Sequence, residues 1–216
     1  MLSSLRDSEV SKRKLRLAAV VCCRRLEHLL TDSRSRDAIA VAECYADGSV
    51  SEDVRAAAEQ GVRAAIGLAL EARQQCDDIP EMYSLAVRVA NITVGPEENF
   101  GLDTLKALVS GCTLVARDAS AALGGRESLS TEIASLLREI LGNPVRPVVF
   151  HESWRTSDVV AMARGMYEAR DFVAMPTLAD ALQDAGCENE GVLDHCRKHA
   201  FHVRGCFVVD MLLEKH

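Results

Sequence analysis

Aromatic residues make up only 4% of this 216-residue chain, with a single Trp among them. A core so poor in rings must be filled by Leu, Val, Ile and Ala, which suits closely approaching helices and argues against a β-sandwich. Long apolar runs are missing too. No window approaches the ~20 residues a membrane span needs, so the chain is expected to be soluble. The sequence has no Cys-x-x-Cys, no Gly-rich phosphate loop, no His-Glu-x-x-His and no Gly-x-Ser-x-Gly. It also lacks a carboxylate pair whose placement demands acid–base work, and these absences lean against an enzyme. There is no repeat of solenoid length and no low-complexity segment.

Hydrophobic residues account for 48% of the chain and charged residues for 26%, enough to bury a proper core in one large domain or two small ones. The expected fold class is all-α, a multi-helix bundle in two lobes. The formal net charge of -7 argues against a general nucleic-acid binder. Eight cysteines, including the adjacent Cys22 and Cys23, show no spacing of a secreted disulfide scaffold and read as cytosolic thiols. The stretch from Lys12 to Cys22 imitates a lipoprotein signal, but Arg16 interrupts it and Val21 precedes the cysteine where a small residue is needed. The expected location is therefore cytoplasmic.

Helical periodicity recurs along the chain. Leu15, Ala19, Cys22, Leu26 and Leu29 form an apolar stripe over about residues 12–30, and a second helix follows Ser35 up to the Tyr45-Ala46-Asp47-Gly48 turn. Ser49 and Glu52 fit a capping box for an Ala-rich helix towards Arg73, and Pro80 opens a short helix beyond. Stripes at Leu105, Leu108, Cys112 and Val115, and at Leu129, Ile133, Leu136 and Ile140, flank a Gly124-Gly125 break. Gly142-Asn143-Pro144 to Phe150 then imposes an extended path. The expected organisation is a helical lobe over 1–142, an extended linker over 143–152 and a compact helical lobe over 153–216. In the last, Val159, Met162, Met166 and Phe172 define one helix, Pro176 to Gly186 brackets another, and Phe207, Val208, Met211 and Leu212 mark the final one.

Possible ligand chemistry concentrates in twenty residues: Cys187, His195, Cys196, His199, His202 and Cys206. One helix through His195, His199, His202 and Cys206 would hold all four within roughly 60° of arc. Such a stripe can bind a metal, and it equally describes a helix face packed on a core.

Several segments stand out together: Lys14-Leu15-Arg16-Leu17, Cys22-Cys23-Arg24-Arg25, His28-Leu29-Leu30-Thr31-Asp32, Tyr45-Ala46-Asp47-Gly48, and Leu141 to Val148 with Trp154. Leu178 to Leu182, Ala185-Gly186-Cys187, His195, His202 to Cys206 and Asp210 complete the set. These segments, about half the chain, resemble an uncharacterised all-helical family of planctomycete bacterial proteins. Leu178 to Cys187 is also similar to the helix of a short companion domain of repeat proteins in the same bacteria. Neither resemblance implies a known reaction. Phe207 stands where the family has Trp, and Lys198-His199-Ala200-Phe201 replaces a Gly- and Pro-rich turn. If the turn persists, the helical stripe is broken and the candidate ligands become Cys187, His195, His202 and Cys206, a set whose thiolates and imidazoles suit Zn. Buried cysteines are more often plain core residues, and that reading is favoured.

Other candidates divide between site and scaffold. The bases Lys12, Arg13, Lys14, Arg16, Arg24 and Arg25 can touch phosphate or an acidic partner, although no aromatics interleave with them to stack bases. Arg24 and Arg25 can equally anchor carboxylates within the fold. Arg146, between two prolines, can clamp a carboxylate or pin the lobes, and Trp154 can form a recognition patch with Tyr167 or fill the core. Cys23, about 100° round the helix from Cys22, is the more plausible reactive thiol. The leading expectation is a non-enzymatic protein-interaction or adaptor module with a protein partner and no cofactor. A metal-binding or thiol-based sensor or enzyme at the C-terminal Cys/His cluster is the alternative, and a weak nucleic-acid binder is third.

Overall fold

A computed structural model describes residues 10–75, 90–123, 128–143, 146–197 and 201–215. Their regular structure is helical, with no strand among them, and the chain is all-α. The chain divides into two compact units, Met1–Leu136 and Leu137–His216. The Pro80-led helix up to residue 89, the Gly124-Gly125 break, Pro144 and His199 lie outside the described residues.

In the N-terminal unit, helix α1 spans Lys12–Arg24 and every residue from Leu15 to Cys23 is buried. A helix apolar nearly all round belongs inside a bundle, and α1 packs against α2, Ser33–Ala46, and α4, Leu102–Leu123. The Ser11 hydroxyl caps α1 by accepting from the Lys14 N–H at 3.2 Å. α1 ends six residues short of the expected Leu30. Arg25 and Leu26 bond back three residues rather than four, and a 3₁₀ turn at Glu27–Leu29 keeps Leu26, Leu29 and Leu30 buried. Buried Arg16 donates to the Thr93 and Gly95 carbonyls at 2.9 Å each, beneath the Phe100 and Tyr45 rings. Burial lowers this guanidinium to about 10, so it stays charged at neutral pH.

Asp32 caps α2 three residues before Ser35, so Ser35 lies inside the helix and is buried. Helix α3 runs Glu52–Gln75 and is capped by Ser51, not by Ser49. The reason is local: the Ser49 N–H bonds back to the Cys44 carbonyl at 2.9 Å, closing the end of α2 around the Gly48 turn. Helix α4 buries Leu105, Leu108 and Cys112, and α5, Ser128–Leu141, buries Ile133, Leu136, Leu137 and Ile140.

The C-terminal unit takes in the end of α5 and continues with α6, Ser157–Ala169, α7, Met175–Asp184, α8, Glu190–Arg197, and α9, Phe207–Leu213. Helix α6 packs on α7 and α9, and α7 on α8. Arg170 ends α6 in the left-handed region, which places Phe172 beyond the helix rather than on its stripe. Pro176 sits in the first turn of α7. The core gathers Trp154, Val159, Met166, Leu178, Leu182 and Leu212, each at about 1.5–3 kcal/mol of burial. No helix among the described residues is long and apolar enough to cross a membrane.

Candidate metal centre

Glu139 is an acid on a helix that otherwise turns Leu136, Leu137 and Ile140 inward, and it too is buried, at 3% exposure. Three residues later Gly142 ends α5 at φ +68, a conformation glycine adopts without a Cβ penalty. His195 lies on α8 between the inward Leu193 and Cys196 and keeps 18% of its side chain exposed. The chain from 201 to 203 is not helical. Gly205, at φ +95, turns it so that the Cys206 N–H reaches the Val203 carbonyl at 3.0 Å. That turn brings His202 and Cys206, the residue preceding α9, to one side.

The functional atoms of Glu139, His195, His202 and Cys206 all lie within 4.8 Å of one another. His195 Nε2 is 3.1 Å from Glu139 Oε2 and 3.3 Å from Cys206 Sγ. His202 Nδ1 is 3.0 Å from Glu139 Oε1. Around a tetrahedral ion with bonds of roughly 2.0–2.3 Å, donor atoms sit about 3.3–3.6 Å apart. The cluster is within a few tenths of an ångström of that along its three short edges.

Burial pushes the Glu139 carboxyl up, but hydrogen bonds from His195 and His202 outweigh it and hold the group at about 2. Glu139 is thus a carboxylate. Burial raises the Cys206 thiol well above its ordinary value, and the neighbouring Glu139 charge adds to this. A cation between the four groups reverses that balance, because a coordinating thiol loses its proton outright. The other ring nitrogen of His202, Nε2, is buried with no hydrogen-bond partner among the described residues.

The helical stripe through His195, His199, His202 and Cys206 does not form: residues 201–203 are not helical, and Cys206 precedes another helix. Of the four ligands expected with a turn, His195, His202 and Cys206 come together. Cys187 does not belong to the group; it is buried next to the end of α7, its N–H on the Leu182 carbonyl at 2.9 Å. Glu139 completes the group instead. It lies 63 residues from His202, and its only sequence signal is a carboxylate beside the apolar face of α5.

Most of the remaining candidates are engaged within the fold. Arg24 pairs with buried Glu43 and Arg25 with Glu132, both at 2.9 Å. Arg13 pairs with Asp47 at 2.9 Å, and the Lys12 ammonium donates to the Glu97 carbonyl at 2.8 Å. Arg146 is exposed, its backbone N–H on the Asn143 carbonyl. Trp154 is no surface patch: it is buried, edge-on to Phe150 at 5.7 Å, and Tyr167 is buried as well. Cys23 is not an accessible thiol. It is as buried as Cys22, its sulfur 2.7 Å from the Thr93 hydroxyl.

Comparison of the chain with family models, curated proteins and solved structures finds no match.

Proposed function

We propose that the C-terminal unit is a metal-stabilised helical module, in which Glu139, His195, His202 and Cys206 hold one divalent ion of the zinc type. The convergence of these four donors within 4.8 Å carries this reading. One carboxylate and one thiolate neutralise a divalent ion, which is what a buried site requires. Two imidazoles and a sulfur favour zinc or cobalt over magnesium or calcium, which seek oxygen ligands. Four protein ligands fill a tetrahedron and leave no position for a substrate, so the ion's role is structural. The same feature favours a non-enzymatic interaction or adaptor module over a metalloenzyme.

Native mass spectrometry of untagged protein, purified without added metal and then titrated with Zn²⁺, tests the proposal. One zinc per chain, lost in the Cys206→Ser and Glu139→Gln variants, supports it. A bare polypeptide mass throughout the titration refutes it.

A further inference from the structure

The four ligands are not equally shielded. Side-chain exposure is 4% for Glu139 and 5% for His202 but 18% for His195, so His195 is the ligand by which water or a competing chelator first reaches the ion. The group lying against it is Phe207, whose ring centroid is 4.5 Å from that of His195 at a tilt of 57°. Phe207 is half-buried and directly follows Cys206. It also faces the glycine that ends α5. A Cβ built on Gly142 would stand 3.4 Å from Phe207 Cγ, 3.5 Å from Cδ2 and 3.8 Å from Cβ. A methyl at 142 would meet the ring at ordinary van der Waals distance, and the glycine leaves that space open. One ring thus faces the end of the helix bearing Glu139, lies against the ring of His195 and, through the backbone, adjoins Cys206.

We infer that Phe207 is a positioning residue that controls metal exchange: its ring holds the His195 imidazole in its ligating orientation and closes the route to the centre. This rests on the metal-binding reading. Release of a buried ion begins when one ligand swings away and water takes its place. For Glu139 and His202 that motion is opposed by the surrounding core. For His195 the opposing surfaces are the ring of His202, itself a ligand, and Phe207. Outer groups that orient a ligating histidine set metal affinity and lability as ligand identity does.

The test loads the full chain with Co²⁺, whose visible spectrum reports coordination, and follows release to an excess of a chromogenic chelator. Phe207→Leu removes the flat face and Phe207→Tyr keeps it. Phe207→Leu is expected to release the ion at least about tenfold faster, by the usual effect of losing an outer-sphere group. It should retain a tetrahedral cobalt spectrum, because all four ligands remain, and Phe207→Tyr should stay near the wild-type rate. If Phe207→Leu does not fold, Phe207→Met fills the seat without a ring face and carries the same expectation. Wild-type release kinetics in Phe207→Leu, or in Phe207→Met where that variant replaces it, overturn the inference and leave the metal centre standing. Failure of the wild-type chain to take up Co²⁺ overturns the centre itself.

Discussion

Replacing Glu139 by Gln keeps volume and one carbonyl acceptor but removes the charge that both histidines share. In wild type the carboxylate is 3% exposed and accepts at 3.0 and 3.1 Å. Losing the charge leaves one imidazole N–H facing an amide N–H₂ in a buried site, an unsatisfied donor that costs about 1–3 kcal/mol even without metal. The larger effect concerns the ion. A ligand that binds only the native state at a hundred times its dissociation constant adds about 2.7 kcal/mol of stability. Glu139→Gln is expected to lose most of that increment, since the neutral amide is a poor ligand and the site keeps a net positive charge. The assay is built into the chain: Trp154 is its only Trp and is buried in the C-terminal unit. Urea unfolding followed by tryptophan fluorescence therefore reports on this unit. Measured in chelator and in excess Zn²⁺, wild type should show a metal-dependent shift of the midpoint and Glu139→Gln a small one. A full wild-type shift in Glu139→Gln would falsify the assignment of Glu139 as a ligand.

Cys187→Ser is expected to leave zinc stoichiometry unchanged while Cys206→Ser abolishes it, both read by native mass spectrometry; equal losses would mean that the ligand set is wrong. Arg16→Met should destabilise the N-terminal unit by about 3 kcal/mol, because the Thr93 and Gly95 carbonyls lose charge-assisted donors, and far-UV circular dichroism against urea measures it. Glu59 has its carboxyl held below the usual range: burial raises it, but hydrogen bonds from Arg55 and Arg63 prevail. A depressed native value means stability present above the unfolded value of about 4.3 and lost as pH falls through the native one. Glu59→Gln should be less stable than wild type near neutral pH and converge with it in acid; parallel curves down to acid pH would refute the linkage. Gly142→Ala places a methyl in ordinary contact with the Phe207 ring but forces alanine into a left-handed φ, which should cost the C-terminal unit about 1–2 kcal/mol in urea unfolding followed by Trp154 fluorescence; an unchanged midpoint would refute the strain.

Much of the fold is legible because helix periodicity and helix stops are local. The stripes at Leu105, Leu108 and Cys112 and at Ile133, Leu136 and Ile140 are buried as their spacing requires, and Gly142 ends α5. Errors fall where a backbone bond competes with a pattern. The apolar positions of α1 continue past its end because a 3₁₀ turn also returns Leu26 and Leu29 to the core. Ser49 matches a capping box, but its N–H is already committed to the end of α2. The centre was only partly visible for a different reason. His195, His202 and Cys206 are close in sequence, so composition points to them, whereas Glu139 arrives from another helix. Cys187 shares their chemistry but is directed elsewhere by the turn after α7.

The position of the centre follows from what the C-terminal unit lacks. At about 80 residues it is of a size whose hydrophobic core alone supplies only a few kcal/mol, and such units commonly gain a metal or a disulfide. Its last two helices are eight and seven residues long, well below the ~12–15 at which an isolated helix becomes even marginally stable. Helices that short persist through the packing of their apolar faces and through whatever fixes their ends. His195 lies in the last turn of α8 and Cys206 immediately precedes α9, while Glu139 lies near the end of α5 and His202 in the chain between α8 and α9. The four donors thus meet where secondary structure gives out. In the proposed centre an ion would supply order that these elements lack, so chelation should loosen α8 and α9 before it disturbs the Trp154 core.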